Sequence, residues 1–193
     1  RDIIKPGYTI VAATSGNTGI ALSLVGAAMG YRVVIVMPGT ASAERRSIMK
    51  HFGASVVLTP PADFVEGALA KARELAKQPG WWMPSQFENF DNVAAHRQNT
   101  GEEILKQIPN GKVDAFVAGI GTGGTLMGVG QALKEVNPQV KIVAVEPVGS
   151  RPCVPMQVKN HLSIIDHQVE GIGDGFIPQI VETALIDDWI QVS

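Results

Sequence analysis

The chain has 193 residues, of which 45% are hydrophobic and 18% are charged, and its formal net charge is −2. This composition predicts a globular protein with a sizeable core, and the weak charge argues against nucleic acid or an anionic membrane as a partner. The longest apolar run, residues 20–29, is too short to span a bilayer. The single cysteine, Cys153, excludes an internal disulfide bond and indicates a reducing, cytoplasmic setting.

The first half of the chain alternates predicted strands with predicted helices. Short apolar runs bounded by turn residues predict strands at 9–13, 33–37 and 55–58. Residues 20–29 are apolar nearly all round, which predicts a buried helix that stops at Gly30.

Two further helices are predicted from their capping residues. Ser42 is expected to cap a helix that runs to His51. Asp63 and Glu66 resemble a capping box, which predicts a helix that opens there and ends before Pro79.

The second half repeats the alternation. We predict helices at 92–107 and 125–136, and strands at 115–118, 141–145 and 188–192, with mostly irregular chain over 148–182. The pattern predicts an α/β fold with open, mostly parallel sheets flanked by helices. The aromatic, irregular stretch 81–90 indicates a boundary between two sub-domains, residues 1–90 and 91–193.

Two strand-to-helix turns, residues 14–19 and 119–124, are rich in glycine and threonine. A helix N-terminus offers free backbone N–H groups and a partial positive charge, and glycine lets an anion approach the backbone closely. Two such turns in one chain predict binding sites for two anionic groups.

The second turn also fits a different class of protein. Gly119, Gly121 and Gly124 match the dinucleotide pattern G-x-G-x-x-G, and Glu146 ends the following strand, where an acid would hold a ribose. An NAD-dependent dehydrogenase is therefore an alternative. It leaves the first turn unexplained, and the threonines Thr122 and Thr125 are more typical of a cup for one terminal phosphate.

A run of motifs in a fixed order resembles the cysteine synthase (O-acetylserine sulfhydrylase) family of fold type II pyridoxal-phosphate enzymes, which have the tryptophan synthase β-like architecture. The motifs are Thr14-Ser-Gly-Asn-Thr-Gly-Ile20, Glu44-Arg-Arg46, Gln86-Phe87, Thr100-Gly101, Gly119-Ile-Gly-Thr-Gly-Gly-Thr-Leu126, Glu146-Pro147 and Gly171-Ile-Gly-Asp-Gly-Phe-Ile-Pro178. They extend over nearly the whole chain.

The resemblance implies a role for each matching residue. The α-carboxylate of the amino-acid substrate would be bound by Gln86 and by the first turn, which comprises Thr14, Ser15, Gly16, Asn17 and Thr18. Asn17 would also hydrogen-bond the 3′-oxygen of the cofactor ring. The cofactor phosphate would lie in a cup formed by Gly121, Thr122, Gly123, Gly124 and Thr125, with a glycine wall of Gly171, Gly173 and Gly175 near the ring.

The resemblance also implies an activity, the formation of L-cysteine from O-acetyl-L-serine and sulfide with pyridoxal 5′-phosphate as cofactor. The first sub-domain would be the smaller, mobile one that binds the substrate carboxylate, and the second would be the larger one that binds the phosphate. No lysine here stands in the context of the family's Schiff-base lysine, which we expect upstream, and the family's C-terminal part is also expected outside this segment. We therefore expect no catalytic residue in this chain and little or no turnover by these 193 residues alone.

Several alternatives and partners stay open at this point. Cystathionine β-synthase shares most of these motifs, and a non-catalytic module that binds a peptide is a third possibility. The resemblance implies a homodimer that binds the C-terminal peptide of serine acetyltransferase. The expected location is the cytoplasm, or an organelle if a transit peptide precedes the segment. The histidines show no metal-ligand spacing, so we predict no metal site and give no catalytic role to His51, His96, His161 and His167.

Overall fold

A computed structural model describes residues 4–148, 169, 171–174 and 176–193. The chain forms two compact units, Arg1–Ser85 and Gln86–Ser193. The predicted boundary after residue 90 lies slightly further along the chain. Each unit has a parallel β-sheet with helices beside it, which confirms the predicted α/β class.

The first unit contains a four-stranded parallel sheet with the strand order β3-β2-β1-β4. Its elements along the chain are β1 (Thr9–Ala13), α1 (Asn17–Met29), β2 (Arg32–Pro38), α2 (Ala43–His51), β3 (Ser55–Thr59), a 3₁₀ turn (Pro61–Asp63), α3 (Phe64–Ala76) and β4 (Trp81–Trp82). The strand β4 lies inside the stretch that the sequence analysis treated as irregular. Its two tryptophans pair with the start of β1, an arrangement with no signal in so short a segment.

Strand alternation divides the core of this unit into two layers. On one face Ile10, Ile35 and Met49 pack with residues of α1 and α2. On the other face Val11 and Val36 pack against Ala68 and Ala72, which are small buried residues of α3. The central strands are buried on both faces, as their continuous apolar runs predicted.

Helix α1 corrects the prediction of a helix buried all round. It contacts the unit through the small residues Gly19, Ser23 and Gly26, while Leu24 and Met29 are 50% and 66% exposed. Small residues let the helix approach closely on one side, where Ile20 and Leu22 also pack against the core, while Leu24, Val25 and Met29 point away from it. The predicted stop at Gly30 is confirmed, since this residue ends α1 in the left-handed conformation, with φ of 76°.

The two predicted caps had different outcomes. The side chain of Ser42 accepts a hydrogen bond from the backbone N–H of Arg45 at 3.4 Å, which confirms it as the cap of α2. The capping box at Asp63 was wrong: this residue ends the 3₁₀ turn, and within the described chain its side chain makes no capping bond to α3.

The second unit contains a three-stranded parallel sheet with the order β5-β6-β7. Its elements are α4 (Asp91–Ala95), a π-helical segment (His96–Gly101), α5 (Glu102–Gln107), a 3₁₀ turn (Pro109–Gly111), β5 (Ala115–Gly119), α6 (Gly124–Val136), β6 (Lys141–Pro147), a second 3₁₀ turn (Thr183–Leu185) and β7 (Asp188–Val192). Helix α6 is at the centre of the core, where Leu126, Met127, Val129 and Leu133 pack against buried residues of β6. Most of the predicted irregular region lies outside the described residues.

The predicted helix over 92–107 is continuous in the structure but changes to π-helical geometry in its middle. Here the helix packs closely against α6. A Cβ added to Gly101 would lie 2.5 Å from Cβ of Ala132, and one added to Gly128 would lie 2.6 Å from Cβ of His96. The two glycines therefore allow a helix contact that larger residues would prevent. Short π-helical segments are frequent at functional sites.

Candidate functional site

The first candidate site is the turn between β1 and α1. The side chain of Thr14 accepts a hydrogen bond from the backbone N–H of Gly16 at 3.2 Å, which folds the turn back on itself. Helix α1 has no acidic residue in its first turn, and among the described residues no side chain caps its N-terminus. The backbone donors and the hydroxyls of Thr14, Ser15 and Thr18 thus form a set of donors suited to an anion.

Arg45 of α2 supports this turn from the side. Its guanidinium donates a hydrogen bond from Nη1 to the carbonyl oxygen of Ser15 at 3.4 Å. This contact places a fixed positive charge beside the turn and also restrains the turn's backbone.

The second candidate site is the turn between β5 and α6, and its glycines are required by close packing. Gly123 has a φ of 86°, a conformation that favours glycine. A Cβ at Gly121 would overlap the carbonyl oxygen of Gly171, and one at Gly124 would overlap the Asn92 side chain. Helix α6 has no acidic residue in its first turn, and among the described residues no side chain caps it.

The hydroxyls of this turn are held by side chains of the preceding helix. Asn92 donates from Nδ2 to Oγ1 of Thr122 at 3.1 Å, and the same oxygen accepts from the backbone N–H of Gly124 at 3.3 Å. Oγ1 of Thr125 lies 3.2 Å from Nε2 of His96, whose Nδ1 lies 3.0 Å from Oγ1 of Thr100. Burial lowers the pKa of His96, which favours the neutral form of its imidazole.

The same unit brings other predicted residues to this turn. The backbone N–H of Gly173 donates to the carbonyl oxygen of Ile120 at 3.0 Å, and Gly171 lies against Gly121. The carbonyl oxygen of Gln86 accepts from Nδ2 of Asn92 at 3.0 Å. The predicted wall residue Gly175 lies outside the described residues.

The predicted site residues are thus distributed over both units. The five residues of the first turn lie in the first unit, and Gln86, the phosphate-cup residues, Gly171 and Gly173 lie in the second. Sequence reasoning missed Asn92 and His96. Their spacing of four residues on a predicted helix places both side chains on one face, but nothing in the sequence showed which turn that face contacts.

The structure weakens the dinucleotide alternative. Glu146 is only 2% exposed in β6, so its carboxylate is not presented to a ribose hydroxyl.

Among the residues that the structure describes, no group of three or more metal-ligating side chains comes together. In the same part of the chain no helix has both the length and the apolar character needed to cross a bilayer.

Parallel α/β units whose strand-to-helix turns present amide and hydroxyl donors define a class of proteins that bind small anionic ligands. The chain belongs to the family of pyridoxal-phosphate-dependent enzymes, whose model matches residues 1–193. The family's cofactor carries a phosphate, and the second turn fits that group. Its glycines leave room for an anion, and the hydroxyls of Thr122 and of the exposed Thr125 can donate hydrogen bonds. The first turn of α6 has no acidic residue that would repel the phosphate.

Individual relatives agree with this assignment. A cysteine synthase from Staphylococcus aureus (strain Mu50) is 47% identical over 189 residues, which cover 98% of this chain and 59% of that protein. The crystal structure of cysteine synthase from Entamoeba histolytica is 41% identical with a TM-score of 0.85, over 98% of this chain and 54% of that one.

A third relative has a different named activity. The structure of an O-acetylserine-dependent cystathionine β-synthase from Helicobacter pylori is 39% identical with a TM-score of 0.88, over 98% of this chain and 60% of that one. The chain therefore spans roughly three-fifths of the length of the relatives it matches, 59% in the case of the Staphylococcus protein.

Proposed function

We propose that this chain takes part in a pyridoxal-phosphate-dependent β-replacement that forms L-cysteine from O-acetyl-L-serine and sulfide. The observation that carries the proposal is the presence of two donor-rich turns at helix N-termini in a chain 47% identical to a cysteine synthase. A cofactor phosphate and a substrate α-carboxylate are the two anions that this reaction has to hold.

The second turn is the proposed phosphate site. Backbone N–H groups at the start of α6 and the hydroxyls of Thr122 and Thr125 would donate to the phosphate oxygens, and the partial positive charge of the helix N-terminus adds to their attraction. Gly121, Gly123 and Gly124 would allow the phosphate to lie against the backbone.

The first turn is the proposed site of the substrate carboxylate. The hydroxyls of Thr14, Ser15 and Thr18 and the amides at the start of α1 would bind it, with Gln86 helping. The charge of Arg45 beside Ser15 would strengthen the attraction. Asn17 would hydrogen-bond the 3′-oxygen of the cofactor ring, and Gly171 and Gly173 would supply a backbone surface near it.

Pyridoxal phosphate supplies, when bound, an electron sink for bond breaking at the substrate Cα. The contribution of this chain is to hold the α-carboxylate in a fixed direction, which orients the Cα–H bond for proton removal. The resemblance implies that the family's Schiff-base lysine, for which no lysine of this chain has the matching context, would be the base for that proton. We propose that the first unit is a mobile, substrate-binding sub-domain that closes to exclude water.

The test combines activity with cofactor affinity. The full-length form of the protein is incubated with pyridoxal 5′-phosphate, O-acetyl-L-serine and sulfide, and L-cysteine is quantified. Replacement of Thr122 and Thr125 by alanine removes two charge-assisted hydrogen bonds and should weaken cofactor binding by about 1–3 kcal/mol. The matched control is Thr40→Ala, at an exposed threonine of the first unit. Equal affinity of the double variant and the control would contradict the phosphate assignment.

A cystathionine β-synthase activity is the second candidate, favoured by the 39% identity to the Helicobacter pylori enzyme. It differs in the nucleophile, which would be homocysteine instead of sulfide. Competition between equal concentrations of the two nucleophiles, with L-cysteine and L-cystathionine measured in one reaction, discriminates the candidates. A ratio of kcat/KM values that favours homocysteine would replace the cysteine synthase proposal.

We also propose a homodimer located in the cytoplasm that binds the C-terminal peptide of serine acetyltransferase. The family resemblance supports these proposals, and a carboxylate-binding first turn would suit the terminal carboxylate of such a peptide. Light scattering measures the mass of the assembly. Competition between the peptide and O-acetyl-L-serine tests whether both use the first turn, and binding without competition would contradict that placement.

A further inference from the structure

Two side chains that the proposed reaction does not use hold both hydroxyls of the second turn. Asn92 contacts Thr122 and His96 contacts Thr125, at 3.1 and 3.2 Å. The two side chains are four residues apart, one in α4 and one at the start of the π-helical segment, so they project from the same face.

Helix α6 has a glycine opposite each of them. A Cβ at Gly124 would overlap the amide of Asn92, and a Cβ at Gly128 would lie 2.6 Å from Cβ of His96. Gly124 and Gly128 have the same spacing of four residues as Asn92 and His96. The paired spacing brings one helix close enough to the other for both side chains to reach the turn.

The contacts of Asn92 determine which way the Thr122 hydroxyl can act. Nδ2 of Asn92 donates both to Thr122 and to the carbonyl oxygen of Gln86, which can only accept, so the amide orientation is determined. Oγ1 of Thr122 then accepts from Asn92 and from the backbone N–H of Gly124. With both lone pairs used, the hydroxyl hydrogen of Thr122 is left to donate to a ligand.

His96 sets the same polarity at Thr125, but only in one of its two neutral tautomers. With the proton on Nε2, the ring donates to Oγ1 of Thr125, accepts from Thr100 at Nδ1, and leaves the Thr125 hydrogen free to donate. With the proton on Nδ1, Thr125 must donate to the ring and presents only lone pairs to a ligand. Those lone pairs would repel a phosphate dianion.

We propose that Asn92 and His96 are positioning residues that turn Thr122 and Thr125 into hydrogen-bond donors toward a phosphate monoester, and that phosphate binding selects the Nε2-protonated tautomer of His96. This inference rests on the proposed function, since it takes the cofactor phosphate as the ligand of the second turn. It goes beyond that function by assigning the specificity for phosphate to residues that do not touch it.

The tautomer is measured by ¹⁵N NMR of the histidine rings in the full-length protein, with the His96 signals assigned by their loss in His96→Gln. Spectra are recorded for the free protein, with pyridoxal 5′-phosphate, and with pyridoxal, which lacks the phosphate. We expect the Nε2-protonated form to become dominant with pyridoxal 5′-phosphate and not with pyridoxal. His51, an exposed histidine of the first unit, is the internal control and should not respond.

Affinity provides the second readout. His96→Leu should weaken binding of pyridoxal 5′-phosphate severalfold, because the Thr125 hydroxyl keeps its hydrogen but loses the neighbour that holds it in the donating orientation. His96→Gln should restore most of this loss, because its amide nitrogen can donate from the position of Nε2. In a Thr125→Val background, His96→Leu should have little further effect, since the group on which it acts is gone.

The outcomes separate the inference from the proposed function. If pyridoxal 5′-phosphate binds normally but His96 keeps its proton on Nδ1, or if His96→Leu and Thr125→Val weaken binding independently, the positioning inference is wrong and the cofactor assignment stands. If the full-length protein does not bind pyridoxal 5′-phosphate at all, the proposed function fails and the inference fails with it. His96→Gln keeps the test valid if the leucine variant does not fold.

Discussion

The two turns proposed to bind anions have similar sequences but different supports. The first, before α1, contacts the guanidinium of Arg45, which brings a full positive charge to the carbonyl oxygen of Ser15. The second, before α6, is held by the neutral side chains of Asn92 and His96 and by glycines that allow close packing. A turn rich in glycine and hydroxyl groups therefore supplies the hydrogen-bond donors and no more. The neighbouring helix sets how firmly the donors are held and in which direction they act.

The helices that follow the two turns differ in how deeply they are buried. Both have 13 residues, but α6 buries eight of them, whereas the buried residues of α1 are Gly19, Ser23 and Gly26. The second turn therefore rests on a helix embedded in the core of its unit, and the first rests on a helix that lies on the surface of its unit.

The largest expected effect tests this difference in burial. Leu126→Ala, at a fully buried position of α6, should lower the free energy of unfolding by about 2–5 kcal/mol because it leaves a cavity. Leu24→Ala, at a half-exposed position of α1, should cost less than about 1 kcal/mol. Urea denaturation of the 193-residue chain, followed by circular dichroism, measures both. Equal costs would show that α1 is as embedded as α6.

A smaller effect is expected from the close contact at the second turn. Gly124→Ala should push Asn92 away from Thr122 and lower the free energy of unfolding by about 1–3 kcal/mol, together with a loss of affinity for pyridoxal 5′-phosphate. The control is Gly39→Ala, where the added Cβ would lie 3.5 Å from its nearest neighbour, an ordinary contact. Thermal unfolding and a fluorescence titration with the cofactor give the two quantities. A variant with unchanged cofactor affinity would mean that Asn92 has no part in holding the turn.

The charge at the first turn gives the next effect. Arg45→Leu should raise the KM for O-acetyl-L-serine severalfold, corresponding to roughly 0.5–1 kcal/mol for a partly exposed charge near a helix N-terminus, with little change in affinity for pyridoxal 5′-phosphate. Lys50→Leu, at an exposed position of the same helix, is the matched control. If Arg45→Leu weakened the cofactor and spared the substrate, the assignment of the two anions to the two turns would have to be exchanged.

The smallest effect concerns the attachment of α6 to its sheet. A hydrogen bond from the backbone N–H of Ile142 and the ammonium group of Lys134 lower the pKa of Asp187. Because the folded-state pKa lies below the unfolded value, this carboxylate stabilises the fold above the unfolded pKa, near 3.8, and the contribution is lost as the pH falls through the folded pKa.

Asp187→Asn should therefore be less stable than the wild type at pH 7, with the difference shrinking as the pH falls below the unfolded value. Denaturation midpoints measured from pH 7 down to acid conditions test this. Asp114→Asn, at a strongly exposed aspartate beside Lys112, serves as the control. A stability difference that persisted unchanged at low pH would show that the Asp187 contacts do not depend on its charge.

Much of the local structure could be predicted from the pattern of residues. The strands β1, β2, β3, β5 and β6 contain short apolar runs, and Gly30 and Ser42 end and begin helices through their own backbone and side-chain chemistry. The failures have a common cause. Each failure depends on what lies beside a segment in the fold, which periodicity does not encode. The three cases are the exposure of α1, the pairing of Trp81 and Trp82 with β1, and the missing cap at Asp63.

An α/β chain with two donor-rich turns could be predicted from the residues alone, because hydrophobic runs, glycines and hydroxyls act over a few residues. Which side chains hold the donors depends on contacts between distant parts of the fold. Asn92 and His96 are 30 and 29 residues away from Thr122 and Thr125 along the chain, and they reach them because Gly124 and Gly128 let the two helices approach. The direction of a hydroxyl hydrogen depends on such distant neighbours, so the specificity of the turn is a property of the folded chain.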